Sequence, residues 1–555
     1  MAQEKARKPA AKVARDSTAP VDDAHHGDIR GAFGTIGEHD HNANTPRTWR
    51  RRLLALAVIV GPGLIVMVGD NDAGGVSTYA AAGQDYGTSL LWTLILLIPV
   101  LIVNQEMVVR LGAVSGVGHG RLIFERFGKI WGRFAVSDLF VLNFLTIATE
   151  FIGISLGAQY FGVPAWVAVP LAGLLLVGIT VTGRFETWER LMFVILFGNL
   201  LCIPLMVLCH PTLGPVVHDF VIPGVEGGFK SDGVLLIVAI VGTTVTPWQL
   251  FFQQSNVVDK RITPRWIPYE RADTAIGAMV VVIGATAIMV ATAFAFSHNG
   301  NGESNPTAFT NAYDLAEGLK AHVGTAVGAI FSILLIDASV VGASAVTLST
   351  SYAFGDTFGI RNSLHRSWRE AKSFYAMFTG LVVLAATFVL IPGVPLGLIT
   401  TAVQALAGVM LPSACLFLLF LCNDRDVLGP WVNRPWFNLL ASLILGVLLI
   451  LSVILVVSTI LPNVDVARLF VVLAAVMVVG LVIAIVINVR ARRALPPDPR
   501  MDEDRETWRM PSLALLNQPA KSRGRLIALV SVRSYAIIAM VSLLLKTILA
   551  SHNAH

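Results

Sequence analysis

The stretch Val60-Gly61-Pro62-Gly63, followed after five apolar residues by Gly69-Asp70-Asn71-Asp72-Ala73-Gly74-Gly75, decides the fold, because it lies inside an apolar block running from about residue 53 to 83. An ionised carboxylate at the middle of a bilayer costs roughly 3 kcal/mol or more, so Asp70 and Asp72 cannot rest against lipid. The favourable arrangement unwinds the helix at these glycines and turns the acids toward a protein-lined cavity. A competing reading ends the helix at Gly69 and exposes a loop, but it strands the apolar fragment Val76 to Ala82.

The sixth apolar block is interrupted in its turn, at Val241-Gly242-Thr243-Thr244-Val245-Thr246-Pro247-Trp248-Gln249. Pro247 removes a backbone donor and frees carbonyls about one turn earlier, while the threonines add hydroxyls. Breaks in the first and sixth positions are what two inverted five-helix repeats produce, and such repeats hold a substrate at the midplane between the breaks. Transport by alternating access is the expectation.

Composition agrees with an all-α polytopic membrane protein. Of the 555 residues, 55% are hydrophobic and 14% charged. Soluble domains carry about 25% charged residues, so a water-soluble enzyme does not fit. At about 20 apolar residues per crossing, the chain reads as twelve spans between residues 53 and 490. A last apolar segment, 527–550, holds Arg533 and Lys546 and reads as an interfacial helix in preference to a thirteenth span. The net charge of +5 does not point to nucleic acid, since Lys and Arg are scattered between apolar blocks. No G-x-x-x-x-G-K-[ST] loop for ATP is present, and Asp259-Lys260-Arg261-Ile262-Thr263 is only superficially like a phosphorylation site. Cys202 with Cys209 and Cys415 with Cys422 read as packed or lipid-facing thiols, not as a metal site or a disulfide framework.

Charge placement sets the topology, because cytoplasmic links keep Lys and Arg. With Arg50, Arg51 and Arg52 inside, every second link is basic, through Arg121 to Arg133, Arg184 and Arg190, Lys260 to Arg271, Arg361 to Lys372, Arg425 and Arg434, and Arg490 to Arg493. The N-terminal tail and the end of the twelfth helix are therefore expected on the cytoplasmic side of an inner membrane. The domain reading is a disordered tail at 1–50, a first repeat at 51–222, a second inverted repeat at 223–424, additional helices at 425–493 and a tail at 494–555. Within the first tail, Glu38-His39-Asp40-His41 reads as solvated rather than as a metal loop.

The donors at the two breaks are hard oxygens, namely Asp72, carbonyls near Thr243, the Thr246 hydroxyl and a glutamine amide, and they suit magnesium, calcium or manganese. At these residues the sequence resembles the natural resistance-associated macrophage protein (Nramp) divalent metal transporters. Their first helix reads G-P-G, eight residues, D-P-G-N, then A-G-x-Q-Y-G. Here Gly61-Pro62-Gly63 precedes Asp72-Ala73-Gly74-Gly75 by eight residues, and Ala82-Gly83-Gln84-Asp85-Tyr86-Gly87 follows. Arg110-Leu111-Gly112, Glu150-Phe151-Ile152-Gly153 and Gln404 ahead of Leu411-Pro412 extend the likeness over residues 53 to 490. It implies a leucine-transporter-like fold, with about two helices beyond the repeats, and metal-ion transport.

Several positions depart from that pattern. The family's A-T-V-M-P-H becomes Thr243-Thr244-Val245-Thr246-Pro247-Trp248, a second histidine becomes Gln253, and the Asn of D-P-G-N becomes Gly75. Loss of the thioether removes the preference for softer metals. The third span keeps Glu150, but the ninth, from Met377 to Ile391, holds no charge, unlike relatives that route protons there. The resemblance is strongest to the Nramp-related magnesium transporters, regarded as uncoupled.

The candidate cation site is thus Asp72, Gly75, Thr243, Thr246 and Gln404, with Asp70, Asn71, Gln249, Glu150 and Asp337 around it or along its pathway. Asp337 in the eighth span either lines that pathway or caps a kink, and Glu106 is expected to pair with Arg110. The expected cargo is Mg2+, with Mn2+ possible, moved through the bilayer with no cofactor, nucleic acid or ATP. The alternatives are a proton-coupled Mn2+ carrier and an organic-solute or amino-acid symporter on the same fold, the latter disfavoured because Asp72 repels an α-carboxylate.

Overall fold

The computed structural model describes residues 23–38, 48–228, 230–297, 309, 311–393, 396–461, 464–494, 503–516 and 523–553. Among them, eleven helices are long and apolar enough to cross a membrane, and the pair Trp49–Ile59 and Pro62–Val68, bent by 51°, makes a twelfth candidate. The first span runs through Trp49–Ile59, Pro62–Val68 and Ala73–Tyr86. The second is Leu91–Ser115, the third Lys129–Tyr160, the fourth the shorter apolar helix Ala165–Thr180, and the fifth Phe185–Leu208. The sixth divides into Ser231–Thr244 and Pro247–Asp259. Then come Pro264–Phe296, Thr325–Phe358, Lys372–Val389, Leu396–Leu421 and Pro435–Ile460 as the seventh to eleventh spans. Val466–Ala494 and Arg523–Asn553 are the last two helices.

Both breaks fall where the sequence places them, and local chemistry explains why. The first span stops at Val68 and restarts at Ala73, with Asp72 as an extended N-cap whose side chain accepts the Gly75 N–H. The sixth stops at Thr244 and restarts at Pro247, whose missing N–H is harmless in a first turn. Around the breaks the helices approach closely through small residues. Gly242 of the sixth span lies on Gly408 and the Gln404 carbonyl of the tenth, and Gly153 of the third lies on Ala73 and Ser339. Large apolar side chains such as Trp166, Leu174, Val471 and Val472 remain exposed on the outside, as a lipid-facing surface requires. All four cysteines are free and buried.

One feature differs from the expectations and a second bears on one left open. Inside the segment read as a disordered tail, Ile29–Gly31 and Gly34–Ile36 form an antiparallel β-hairpin. Its strands are too short for periodicity to reveal, and it is ordered by docking. The Ala32 N–H donates to Glu189, Arg190 Nε donates to the Ala32 carbonyl at 2.8 Å, and Phe33 meets Phe193 with ring centroids 5.0 Å apart. Arg261 adds bonds to the carbonyls of Ala24 and Asp28. His39, Asp40 and His41 lie outside the described residues. The second feature is the last helix, Arg523–Asn553, which packs against the tenth and eleventh spans. Arg525 sits over Phe127, Arg533 sits over Trp131 and Phe134, and Ala539 shares an apolar cluster with Leu142. Its stretch Arg523–Ser542 is long and apolar enough to cross a membrane, so a thirteenth span stands beside the interfacial reading.

Candidate functional site

At the first break, two carboxylates take the first free N–H groups of the helix that restarts at Ala73. Asp72 Oδ1 accepts from Gly75 N at 2.7 Å, and Glu150 Oε2, from the third span, accepts from Ala73 N at 3.1 Å. A helix N-terminus favours negative charge, so this end is prepared for them. Each carboxylate keeps one buried oxygen with no protein partner, Asp72 Oδ2 and Glu150 Oε1. Asp70 bridges the two breaks, because its Oδ1 accepts the Thr246 hydroxyl at 3.3 Å while its Oδ2 is unpartnered.

The second break supplies hydroxyls and amides. Thr244 hydrogen-bonds the Tyr79 hydroxyl at 2.7 Å, tying the two broken spans together. The Thr243 hydroxyl is buried without a partner beside Gly75. Gln249 Oε1 accepts from the Thr246 N–H and from Gln105 Nε2, both at 3.2 Å, and so shapes the break from behind. From the tenth span the Gln404 amide lies directly over Gly74, where a β-carbon would collide with it. Asp70, Asp72 and Thr243 are 0% exposed and Thr246 and Gln404 1%, so the site is closed to solvent on both sides.

The structure thus brings Asp70, Asp72, Gly75, Thr243, Thr246, Glu150 and Gln404 to one place. It does not bring Asn71 or Asp337 there. Asn71 Nδ2 donates to the Val281 carbonyl of the seventh span at 3.2 Å. Asp337 accepts from Asn199 at 2.9 Å, in the 3-10 stretch Phe197–Leu201 of the fifth span. Glu106 does pair with Arg110, at 2.9 Å, and also with Arg271. Trp248 is fully buried with its ring end near Gly69, and Gln253 donates to Thr274 at 3.0 Å. Among the described residues no three His, Cys, Asp or Glu side chains form a cation cage. A cation here would draw on mixed oxygen donors, and the unpartnered oxygens would accept hydrogen bonds from any water it retained.

A second group of residues escaped the sequence reading. At the bend between Ile59 and Pro62, Lys260 Nζ donates to the carbonyls of Ile59 and Val60 at 2.7 and 3.0 Å and to Glu189 Oε1 at 2.7 Å. On the other side of the bend, Asp273 accepts the N–H groups of Gly61, Gly63 and Leu64 at 2.7 to 3.1 Å. Gly61 has φ +154°, a conformation glycine favours, and a β-carbon there would strike Glu189 and Lys260. The only signal in the sequence is that Glu189 and Asp273 are acids at the edges of apolar blocks.

Residues 63–458 match the family described as natural resistance-associated macrophage protein-like. The chain is 26% identical over 413 residues to the divalent metal cation transporter MntH of Ralstonia nicotianae, covering 72% of this chain and 89% of that one. It is 29% identical over 411 residues to MntH of Verminephrobacter eiseniae, covering 71% and 88%. Its fold resembles the crystal structure of the Eremococcus coleocola manganese transporter, with TM-score 0.61 and 18% identity over 81% of this chain and 98% of that one. The chain therefore belongs to the natural resistance-associated macrophage protein-like family and is an integral membrane transporter of divalent metal cations.

Proposed function

We propose that this transporter carries a hard divalent cation, magnesium first and manganese second, across the cytoplasmic membrane by alternating access, without protons and without ATP. One observation carries the reading: the donors gathered between the two breaks are all oxygen, from Asp70, Asp72, Thr243, Thr246 and Gln404. Where the resemblance places sulfur and imidazole, this chain has Thr246, Trp248 and Gln253. An indole N–H only donates, so Trp248 offers a cation no nitrogen ligand. Hard oxygen ligands without thioether or imidazole suit a strongly hydrated ion. The absence of charge between Met377 and Ile391 and of histidine at either break supports transport without a proton route. The basic links argue for placing their face in the cytoplasm.

A proton-coupled manganese carrier is the second reading, favoured by the closeness of Asp72 and Glu150, which both stand within 2.9 Å of where Gly342 would carry a β-carbon. Two buried carboxyls this close disfavour each other's charge, and a proton relieves that as well as a metal ion. Uptake into proteoliposomes with magnesium, manganese, calcium and cadmium in competition tests the cargo. Magnesium is expected to compete best, and Asp72→Ala to abolish uptake. Uptake by Asp72→Ala at the parent rate would remove the site, and cadmium outcompeting magnesium would overturn the hard-ion assignment. Metal-dependent acidification of the vesicle interior would sink the uncoupled reading.

A further inference from the structure

A cavity of about 410 Å³ opens on the basic face, away from the cation site, between the end of the second span, the start of the seventh, the link before the eleventh and the C-terminal segment at 503–516. Four arginines line it, Arg110, Arg271, Arg434 and Arg505, against a single carboxylate, Glu106. Glu106 is already divided between Arg110 and Arg271. Asp504, next to Arg505, is occupied with its own turn through the Glu506 N–H.

Trp431 organises the group. Arg271 and Arg505 lie over its ring at 5.9 and 5.8 Å, its carbonyl accepts from Arg110, and its indole N–H donates to the Arg505 carbonyl at 2.8 Å. Buried Arg110 Nε has no partner, and Arg434 makes no ion pair with any described residue. Mutual repulsion of four guanidinium groups around one space is unfavourable unless an anion fills it. Guanidinium forks and stacked aromatics are suited to a planar or tetrahedral oxyanion, phosphate above all.

The cavity also adjoins the start of an apolar span. Arg434 caps the eleventh span, and Trp436 in the first turn of that span is 60% exposed, the placement of an interfacial tryptophan. We propose that the cavity binds the phosphate of an anionic phospholipid, with Arg434 and Arg505 as the principal contacts and the acyl chains lying along the eleventh span. The lipid thereby ties the C-terminal segment to the transport bundle.

The test uses the full-length protein in detergent, with melting temperature and native mass spectrometry as readouts. Short-chain phosphatidylglycerol, short-chain phosphatidylcholine and glycerol phosphate are compared as probes. Phosphatidylglycerol is expected to bind and raise the melting temperature, and Arg434→Gln with Arg505→Gln together to weaken it about tenfold while metal uptake at saturating lipid persists. The single variant Arg434→Gln, which removes no ion pair with any described residue, guards against a folding defect and is expected to weaken binding to a smaller degree. Equal binding to parent and double variant, or equal stabilisation by phosphatidylcholine, would overturn the site. Stabilisation by glycerol phosphate without any by phosphatidylglycerol would overturn the lipid as its source.

Discussion

Lys260→Met probes the bend of the first span. Lys260 and Glu189 are both 0% exposed, and their ion pair is 2.7 Å long. Removing one partner of a buried pair costs about 3–5 kcal/mol, because the other charge is left without compensation. The Ile59 and Val60 carbonyls lose their donor as well, adding about 1 kcal/mol. A loss of this size lowers the melting temperature of a 555-residue chain by about 3–5 °C. Asp273 has three backbone N–H donors of its own, so the lysine is needed chiefly for Glu189. Lys260→Met combined with Glu189→Gln should therefore recover most of the loss, since glutamine still accepts from Ala32. The assay is thermal denaturation followed by fluorescence-detected size exclusion, with uptake measured in parallel. A single variant melting within about 1 °C of the parent, or a double variant no better than the single, would refute the reasoning.

Three further outcomes are expected. Thr246→Met should shift competition toward cadmium and manganese at the expense of magnesium, and an unchanged selectivity series would remove Thr246 from the ligand set. In Gly342→Ala the new β-carbon would stand 2.8 Å from the Glu150 carboxyl and 2.9 Å from Asp72 Cβ. Overpacking of this kind costs about 1–3 kcal/mol; uptake should fall sharply with the size-exclusion profile unchanged, and parental uptake would show that the Asp72 and Glu150 contact is dispensable. The third concerns His119, buried in the link helix His119–Phe127 and bonded to Gln254 at 2.8 Å; burial pushes it down from 6.5 to about 4. Above pH 6.5 neither folded nor unfolded chain holds the proton, whereas below it the unfolded chain takes it up first, so stability falls as pH drops from 6.5 toward 4. At pH 5 the loss is about 2 kcal/mol, and His119→Gln should flatten that part of the melting curve; an identical pH dependence in the variant would rule His119 out.

Much of the bundle was legible because apolar blocks of membrane length and two chemically unlike interruptions repeat a simple physical constraint. Gly69 to Gly75 announced a break through charge, and Pro247 announced one through a missing donor. The oxygen donors followed, since the two breaks meet through the Tyr79–Thr244 and Thr246–Asp70 bonds. What the sequence left open is what each polar group faces. Asp337 had to face protein, yet nothing in its neighbourhood distinguishes the Asn199 side of its helix from the Asp72 side. Lys260, Glu189 and Asp273 come from three separate elements, and a basic link residue gives no sign that it turns inward. The hairpin was missed for the same reason: three-residue strands carry too little pattern, and their order comes from partners far along the chain.

That distance has a consequence for biogenesis. Residues 29–36 leave the ribosome ahead of the broken span that starts at Trp49, but Ala32 must wait 157 residues for Glu189, and Ala24 waits 237 for Arg261. Contacts of such long sequence separation form late, after the loop between them has been ordered. The hairpin is therefore a closing stitch, made once the fifth and sixth spans have been inserted and brought together. Protease resistance of its Gly31-Ala32-Phe33 tip reports the completed assembly of the bundle.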